Sequence, residues 1–285
     1  MQLSLIDIIA CPNCKGKPLS LTERESVDGG DIITGKLFCD DCQTIYHIKN
    51  RVPQLIPTFA GSRLKPKGRI YRKWMRSLKQ LQCWRQQIKN TPYYTSGEME
   101  HHRDKLYKRT LDLVGVVSKG DYLLDVGCGN GALKRTMNND GNYIGLEPLI
   151  PYEESYDFEL VQGYGEYLPF KNNSIKECFI YQTLDHCIRP GMLIQEAHRV
   201  LRADGYLNIQ QIILEKPAIN FSFSLMSNIS NVRKYLFKDA GLKSKTHYFS
   251  AGDLIDMIYR RFSCIRMYNL GNNHIFIRSH SLNRD

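Results

Sequence analysis

The chain has 285 residues, of which 42% are hydrophobic, and this is enough for one full α/β domain together with a small module. No apolar run approaches the ~20 residues of a membrane span, and the first residues lack the basic region and long apolar core of a secretion signal, so we expect a cytoplasmic protein. The net charge of +10 is concentrated in one stretch, because residues 60–89 carry ten basic and no acidic side chains.

Four of the nine cysteines stand in two Cys-x-x-Cys pairs near the N-terminus. Cys11 and Cys14 form the first pair, and Cys39 and Cys42 form the second after an interval of 24 residues. Each pair offers two thiolates, and two pairs together supply the tetrahedral sulfur shell that zinc prefers. The turn at residues 28–31 predicts a hairpin that brings the pairs together. Four thiolates leave no open position on the metal, so the predicted zinc site is structural.

Residues 3–58 resemble a small zinc-ribbon protein that activates methyltransferases of tRNA, rRNA and release factors. The resemblance rests on Cys11-Pro-Asn-Cys14, on Cys39-Asp-Asp-Cys42 and on the segment from Tyr46 to Pro57. It implies a four-cysteine zinc ribbon over residues 1–59. It also implies that this ribbon stabilises a catalytic domain, here one in the same chain.

Residues 60–95 follow as a basic linker. Between Arg69 and Asn90 apolar residues recur every three or four positions and basic residues fall largely between them, which predicts a basic amphipathic helix. Three interpretations stay open. The helix packs its apolar stripe on the catalytic domain, it binds nucleic acid, or it contacts an anionic membrane or a phosphate-bearing substrate.

The stretch over residues 122–137 predicts a buried strand, a tight turn and a helix. Its turn consists of glycines that alternate after an acidic residue, namely Asp125, Gly127, Cys128, Gly129 and Gly131. Glycine permits positive φ and lets a ligand approach the backbone closely, and free amides at the start of a helix favour an anionic group. The stretch therefore predicts a cofactor-binding loop.

An acidic residue followed by Gly-x-Gly-x-Gly resembles motif I of the class I S-adenosylmethionine (SAM) methyltransferases, and its spacing differs from the dinucleotide fingerprint. The resemblance implies SAM as cofactor and an α/β fold, a doubly wound seven-stranded Rossmann-like methyltransferase sheet over residues 96–285 behind the small zinc-ribbon module. Glu147 ends a second predicted strand about twenty residues after the first. We predict it as the ribose ligand, because a carboxylate at that position can accept from both hydroxyls.

The segment from Gly163 to Phe170 resembles the Gly-Asp-Ala-Glu-x-Leu-Pro-Phe segment of the type 11 methyltransferase family. The family's Asp meets the adenine amino group, and Tyr164 stands at that position here. We therefore expect the adenine to be contacted by Tyr164, by Glu166 or by backbone groups. Gly165 and Glu166 join the predicted cofactor-binding residues.

Gln182 to His186 follow the fourth predicted strand, at the edge where an open α/β sheet binds its ligands. This turn resembles the Leu-Glu-His turn of many small-molecule O-methyltransferases. In ubiquinone-pathway O-methyltransferases a Glu-x-x-Glu-His run holds a divalent cation, and Gln182, Asp185 and His186 are in register with it. Either a second, catalytic metal binds here, or Asp185 and His186 shape the pocket and move a proton. We predict Asp185 and His186 as catalytic residues and Gln182 as a cofactor-binding residue.

The remaining elements are predicted from periodicity and turn residues. Helices are expected over residues 98–117, 190–201 and 250–261, and closing strands over 263–269 and 274–278. On the first of these helices His102 is a candidate inward position. The resemblance to class I methyltransferases with a substrate-covering helix here implies Tyr93, Tyr94, His101 and His102 as candidates to line the active site; the alternative for the two histidines is a surface position. Residues 215–248 form an aromatic and basic insertion that is either a substrate lid or a packed loop.

The sequence thus predicts a SAM-dependent methyltransferase that modifies an oxygen or nitrogen nucleophile of a small molecule, sugar or lipid-linked glycan. The first alternative is an rRNA or tRNA methyltransferase that binds RNA through the basic linker and the ribbon. The second alternative is a non-catalytic SAM-binding scaffold whose ribbon recruits a partner.

Overall fold

The computed structural model describes residues 1–58, 97–115, 118–137, 141–150, 156–214 and 247–281, with isolated helical residues between 72 and 86. Its first module is an antiparallel sheet of four strands in the order β1-β2-β3-β4. The strands are β1 (Ser20–Asp28), β2 (Asp31–Cys39), β3 (Thr44–Lys49) and β4 (Val52–Pro53). Gly29 and Gly30 close the β1–β2 hairpin with φ of 56° and 90°, which confirms the predicted turn.

The second module contains four described helices and seven strands. They are α1 (Glu98–Leu111), β5 (Tyr122–Val126), α2 (Ala132–Thr136), β6 (Asn142–Glu147), β7 (Glu159–Gln162), β8 (Ile175–Tyr181), α3 (Pro190–Val200), β9 (Leu201–Ile212), α4 (Ala251–Ile258), β10 (Phe262–Gly271) and β11 (His274–Ser281). The helix predicted over residues 98–117 ends at Leu111, and α4 ends at Ile258 rather than at Arg261.

The seven strands form one sheet in the order β10-β11-β9-β8-β5-β6-β7. Strands β5 to β9 are parallel, and β11 runs antiparallel to both β9 and β10. The chain proceeds from β5 outward to β7 and then returns to β8 on the other side of β5, so the topological switch point lies between β5 and β8. Ligands bind at such a point, beyond the carboxyl ends of the strands. The predicted fold class is confirmed.

Two apolar layers cover the sheet because consecutive side chains of a strand alternate between its faces. One layer contains Phe179 and Tyr181 of β8 with Leu106 and Tyr107 of α1. The other layer is built on the opposite face, around Cys178 and Ile180, and it continues into the first module. A single core therefore joins the two modules.

The first module lies against β7, the edge strand of the large sheet. The amide of Leu55 donates to the carbonyl of Gln162 at 2.8 Å, and Gln54 pairs with Gln162 as an isolated parallel bridge. A second junction forms where the amide of Ala10 donates to the carbonyl of Pro169 at 2.9 Å. The ribbon thus satisfies backbone groups that a bare edge strand would leave unpaired.

The cysteines outside the two pairs differ in exposure. Cys83 and Cys264 are exposed, whereas Cys128, Cys178 and Cys187 are buried. His102 was a candidate inward position and is exposed, whereas Leu106 and Tyr107 of the same helix are buried.

Candidate active site and zinc site

The four paired cysteines converge, as the spacing predicts. Their Sγ atoms all lie within 4.8 Å of one another, with 3.6 Å between Cys11 and Cys42 and 3.9 Å between Cys14 and Cys39. Tetrahedral zinc with bonds of about 2.3 Å separates its sulfur ligands by about 3.8 Å. Donor chemistry and spacing therefore fit zinc, and all four sulfurs are needed to complete the shell.

Two hydroxyl groups surround these sulfurs. The Tyr46 hydroxyl lies 3.2 Å from the Sγ of Cys11, and the Thr44 hydroxyl lies 3.2 Å from the Sγ of Cys42. A hydroxyl donates to a thiolate and stabilises its negative charge, so both groups support metal-bound sulfur. Within the described ranges no other group of three or more His, Cys, Asp or Glu side chains is placed to hold a metal ion.

The loop after β5 has the backbone that its glycines allow. Gly127, Gly129 and Gly131 have φ of 77°, 57° and 75°, a region that side chains rarely adopt. A Cβ atom at Gly127 would lie 2.4 Å from the Oγ1 of Thr183, and one at Gly131 would lie 2.4 Å from the ring of Phe158. The first and third glycines are therefore required by close packing as well as by φ.

Glu147 ties this loop to the neighbouring strand. It ends β6 and is 2% exposed. One carboxylate oxygen accepts from the amide of Gly129 at 3.1 Å, and the other accepts from the amide of Leu149 at 3.0 Å. These amides fix the orientation of the carboxylate at the switch point, where a cofactor ribose is expected in this fold.

Asp125 lies below the loop at the end of β5 and is 3% exposed. Burial raises the pKa of this carboxyl to about 7, since the charged form loses its water; a hydrogen bond from the Tyr143 hydroxyl opposes the shift, and the charge of Glu147 adds to it. That hydrogen bond measures 2.5 Å. Asp125 is thus poised to change charge near neutral pH.

The carboxylate of Glu166 is hydrogen-bonded to the backbone of a neighbouring segment. Gly165 and Glu166 lie in a single 3-10 turn after β7, and Glu166 is 4% exposed. One of its carboxylate oxygens accepts from the amides of Ile188 and Arg189, at 2.8 and 3.3 Å. This links the turn after β7 to the segment before α3. Tyr164 precedes the turn and is half-buried.

Asp185 and His186 lie in another 3-10 turn, directly after β8. Asp185 is 1% exposed, and its Oδ1 lies 3.9 Å from the Nε2 of His186, whose side chain is 21% exposed. The amide of His247 donates to the carbonyl of Asp185 at 3.2 Å. The end of the predicted lid therefore reaches this turn, while residues 215–246 lie outside the described part of the chain.

Gln182 belongs to a polar cluster that the sequence did not reveal. Its Nε2 donates to the Oε1 of Gln210 at 3.1 Å, and the Nδ1 of His274 lies 3.2 Å from the same nitrogen. Gln210 is fully buried near the end of β9, and His274 begins β11. The only sequence signal was the pair of glutamines at positions 210 and 211, and it points to no particular chemistry.

These features together fit SAM. Two buried carboxylates stand at the ends of adjacent strands, and between them runs a glycine loop in which the space beside Gly129 is open. Glu147 would hold the ribose hydroxyls, and the glycine loop would receive the methionine part. The fold and this site define a SAM-dependent methyltransferase.

Comparison with known families agrees with the class. Residues 124–209 match the model of a family described as a methyltransferase domain, and residues 2–50 match that of the Trm112p-like proteins. The chain therefore joins a methyltransferase domain to a Trm112p-like N-terminal domain. An uncharacterized protein of Methanocaldococcus jannaschii is 29% identical over 190 residues, which are 60% of this chain and 74% of that protein.

Solved structures show the same fold at low identity. Phosphoethanolamine N-methyltransferase 2 of Haemonchus contortus, in complex with SAM, has a TM-score of 0.52 and is 12% identical, with 70% of this chain and 60% of that chain covered. The pyocyanin biosynthetic protein PhzM has a TM-score of 0.51 and is 13% identical, with 70% and 61% covered. Within the residues that the structure describes, no helix has both the length and the apolar character needed to cross a membrane.

Proposed function

We propose that this methyltransferase modifies an oxygen or nitrogen nucleophile of a small molecule, sugar or lipid-linked glycan. The observation that carries the proposal is the cluster of amide and imidazole side chains beyond β8 and β9, formed by Gln182, Gln210 and His274. Such hydrogen-bonding groups suit an uncharged polar ligand. Anionic ligands are usually met by arginine or lysine.

The chemistry needed from the protein is mainly positioning. SAM, when bound, supplies a methyl group on a positively charged sulfur. The chain's own groups hold the donor through Glu147 and the glycine loop and hold the acceptor in line with it. This lowers the activation free energy, because the entropy of orienting the two reactants is lost on binding and not in the reaction step. His186 is our leading proton acceptor, and its Nε2 lies 3.9 Å from the Oδ1 of Asp185.

The experiment that tests this proposal is labelling with methyl-labelled SAM. Purified protein is incubated with extracts of the source cells, and labelled species are identified by mass spectrometry. We expect a labelled small molecule or glycan, and we expect Asp125→Ala to abolish the label. Retained SAM binding with no labelled product from any extract would support the scaffold alternative instead.

We further propose that the ribbon stabilises the catalytic domain within one chain. Support comes from the β7 junction and from the apolar layer that runs through both modules. Deleting residues 1–59 would expose that layer and the β7 edge. We expect the truncated protein to aggregate or to lose SAM binding, and unchanged solubility with unchanged SAM affinity would refute the proposal.

A second candidate function is methylation of rRNA or tRNA. The match of residues 2–50 to the Trm112p-like model favours it, as do Arg72, Arg76 and Lys79, which are helical and exposed. RNA binding should then fall steeply with salt and disappear when Arg72, Lys73, Arg76 and Lys79 are neutralised. Neutralising Lys105 and Lys108, exposed on α1, is the matched control. Retention on phosphatidylserine vesicles in place of RNA would assign the segment to an anionic membrane.

A further inference from the structure

Residues 168–171 directly follow the 3-10 turn after β7 and lie between the ribbon and α3. On the ribbon side, the amide of Ala10 donates to the carbonyl of Pro169 at 2.9 Å. The amide of Lys171 donates to the carbonyl of Ile8 at 2.8 Å. These two bonds form an antiparallel bridge, so the ribbon holds one edge of this segment.

Arg199, near the end of α3, holds the same segment from the other side. Its Nη2 donates to the carbonyl of Leu168 and its Nη1 donates to the carbonyl of Phe170, both at 2.8 Å. The carbonyls of three consecutive residues are thus bound alternately by Arg199 and by the ribbon. A guanidinium presents its N–H donors in a fixed planar geometry, so this one side chain sets the positions of two carbonyls.

Glu196 orients Arg199 and joins it to the ribbon. The residue is 1% exposed, and its carboxylate accepts from the Nε and the Nη2 of Arg199, at 3.2 and 2.8 Å. The Nζ of Lys15 lies 3.1 Å from the Oε1 of the same carboxylate. A buried carboxylate needs its cationic partners, because the loss of one leaves its charge poorly compensated. The position of Arg199 is therefore coupled to Lys15.

Lys15 and Gly16 belong to the metal-binding end of the ribbon, since they directly follow Cys14. The Nζ of Lys15 also lies 5.6 Å from the centre of the Tyr167 ring, which belongs to the turn after β7. Gly16 has φ of 86°, and a Cβ atom there would lie 2.7 Å from the Oδ1 of Asn172. The loop that carries a predicted zinc ligand therefore packs closely on the turn and on the residues after it.

The turn itself is fitted closely between α3 and β5. A Cβ atom at Gly165 would lie 3.1 Å from the Cδ1 of Leu193 in α3 and 3.2 Å from the Cγ1 of Val126. Val126 is the last residue of β5 and directly precedes Gly127 of the glycine loop. Contacts of this length leave little room for displacement, so a shift of residues 168–171 would be transmitted to the turn.

We propose that Arg199 is a positioning residue for SAM binding, and that Glu196 and Lys15 make its position depend on the metal-binding end of the ribbon. This role rests on the proposed stabilisation by the ribbon and on the predicted place of Gly165 and Glu166 at the cofactor, and it deepens both. When a site is competent for only a fraction of the time, its apparent dissociation constant rises by the inverse of that fraction. Arg199 keeps the turn in its competent position.

The first test measures binding of S-adenosylhomocysteine by calorimetry, with the full chain and no acceptor. Arg199→Met removes both donors to the segment and should raise the dissociation constant about 10-fold. Amide hydrogen exchange over residues 163–171 should become faster. Arg278→Met is the matched control, because the two arginine side chains are 15% and 14% exposed and each pairs with a buried glutamate, Glu177 in the case of Arg278. The control should bind within about twofold of wild type.

The second test addresses the link to the ribbon through an accessible side chain. Lys15 is 40% exposed, so Lys15→Met should fold normally. Loss of its ion pair should raise the dissociation constant of S-adenosylhomocysteine about 3-fold. Lys17→Met is the control, since Lys17 lies in the same loop and pairs instead with the exposed Asp41. It should bind as wild type does. If Arg199→Met does not fold, this second pair of variants decides.

Unchanged affinity in folded Arg199→Met or in Lys15→Met, or an equal loss in the matching control, overturns the positioning role. If deletion of residues 1–59 still abolishes binding in that case, the proposed stabilisation by the ribbon stands without it. Wild-type protein that binds no S-adenosylhomocysteine refutes the predicted cofactor site and the positioning role together. Neither test involves an acceptor, so the result is independent of the labelling experiment.

Discussion

The ribbon brings four cysteine thiols close together, and the large sheet brings two carboxylates close together. The two regions stabilise these groups differently. In the ribbon four thiols meet within 4.8 Å, and β1, with eight of its nine residues exposed, contributes almost nothing to burial. In the large sheet Asp125 and Glu147 are buried under apolar layers and receive hydrogen bonds from Tyr143 and from backbone amides. The small module gathers four sulfur ligands that fit a metal ion, whereas the large sheet buries carboxylates.

Removing zinc should produce the largest effect. Structural zinc contributes on the order of 10 kcal/mol to folding in modules of this size. We expect one zinc per chain by elemental analysis, and we expect Cys11→Ser with Cys39→Ser to lose the metal and make residues 1–58 sensitive to protease. Cys264→Ser, at an exposed cysteine, is the control. A metal-free double variant with wild-type protease resistance would show that the ribbon is not stabilised by metal.

The second-largest effect is expected from a substitution at the junction between the ribbon and the large sheet. Ile9 is fully buried and pairs with Phe170 across the junction. Ile9→Ala should lower the free energy of unfolding by about 2–5 kcal/mol, because it leaves a cavity in the shared core. Calorimetry should show a lower melting temperature, while Leu3→Ala, at a side chain that is 44% exposed, should change it little. Equal effects of the two substitutions would mean that the core is not shared.

The buried carboxylate of the sheet should show in the pH dependence of stability. Because burial raises the pKa of Asp125 to about 7, the native state binds its proton more tightly than the unfolded state. This residue therefore makes the free energy of unfolding fall as pH rises from about 4 to 7. Between pH 5 and pH 8, the free energy of unfolding of Asp125→Asn should therefore rise by about 2–3 kcal/mol relative to that of the wild-type protein.

Urea denaturation at pH 5 and pH 8 measures this difference. Asp157→Asn, at an exposed carboxylate in the same module, should give a difference that does not change with pH. A pH-independent difference for Asp125→Asn would show that the carboxyl is already ionised at pH 5.

The smallest effect is expected at a hydroxyl beside the metal. Tyr46→Phe removes the hydroxyl that lies 3.2 Å from the Sγ of Cys11, and loss of such a group typically weakens metal binding at least about 10-fold. Zinc transfer to a colorimetric chelator should accelerate accordingly, with little change in melting temperature. His47→Ala, at an exposed residue of the same strand, should not alter the rate. Identical transfer rates for both variants would remove Tyr46 from the metal's surroundings.

Local sequence determined the parts of this protein whose residues are close together in the chain. The Cys-x-x-Cys spacing, the glycines after Asp125 and the acidic end of β6 each act within one turn or one strand, so their chemistry can be read from their spacing. The seven-stranded sheet was expected from the resemblance to class I methyltransferases, and its strand order was seen only in the structure.

Tertiary structure alone decided which distant groups meet. Gln182, Gln210 and His274 are separated by 28 and 64 residues and come together only because β8, β9 and β11 are neighbours in the sheet. Glu166, predicted at the cofactor, accepts from two amides 22 and 23 residues away. The pairing of Gln54 with Gln162 likewise spans 108 residues. Such contacts depend on packing and on register, which a local pattern of residue types does not specify.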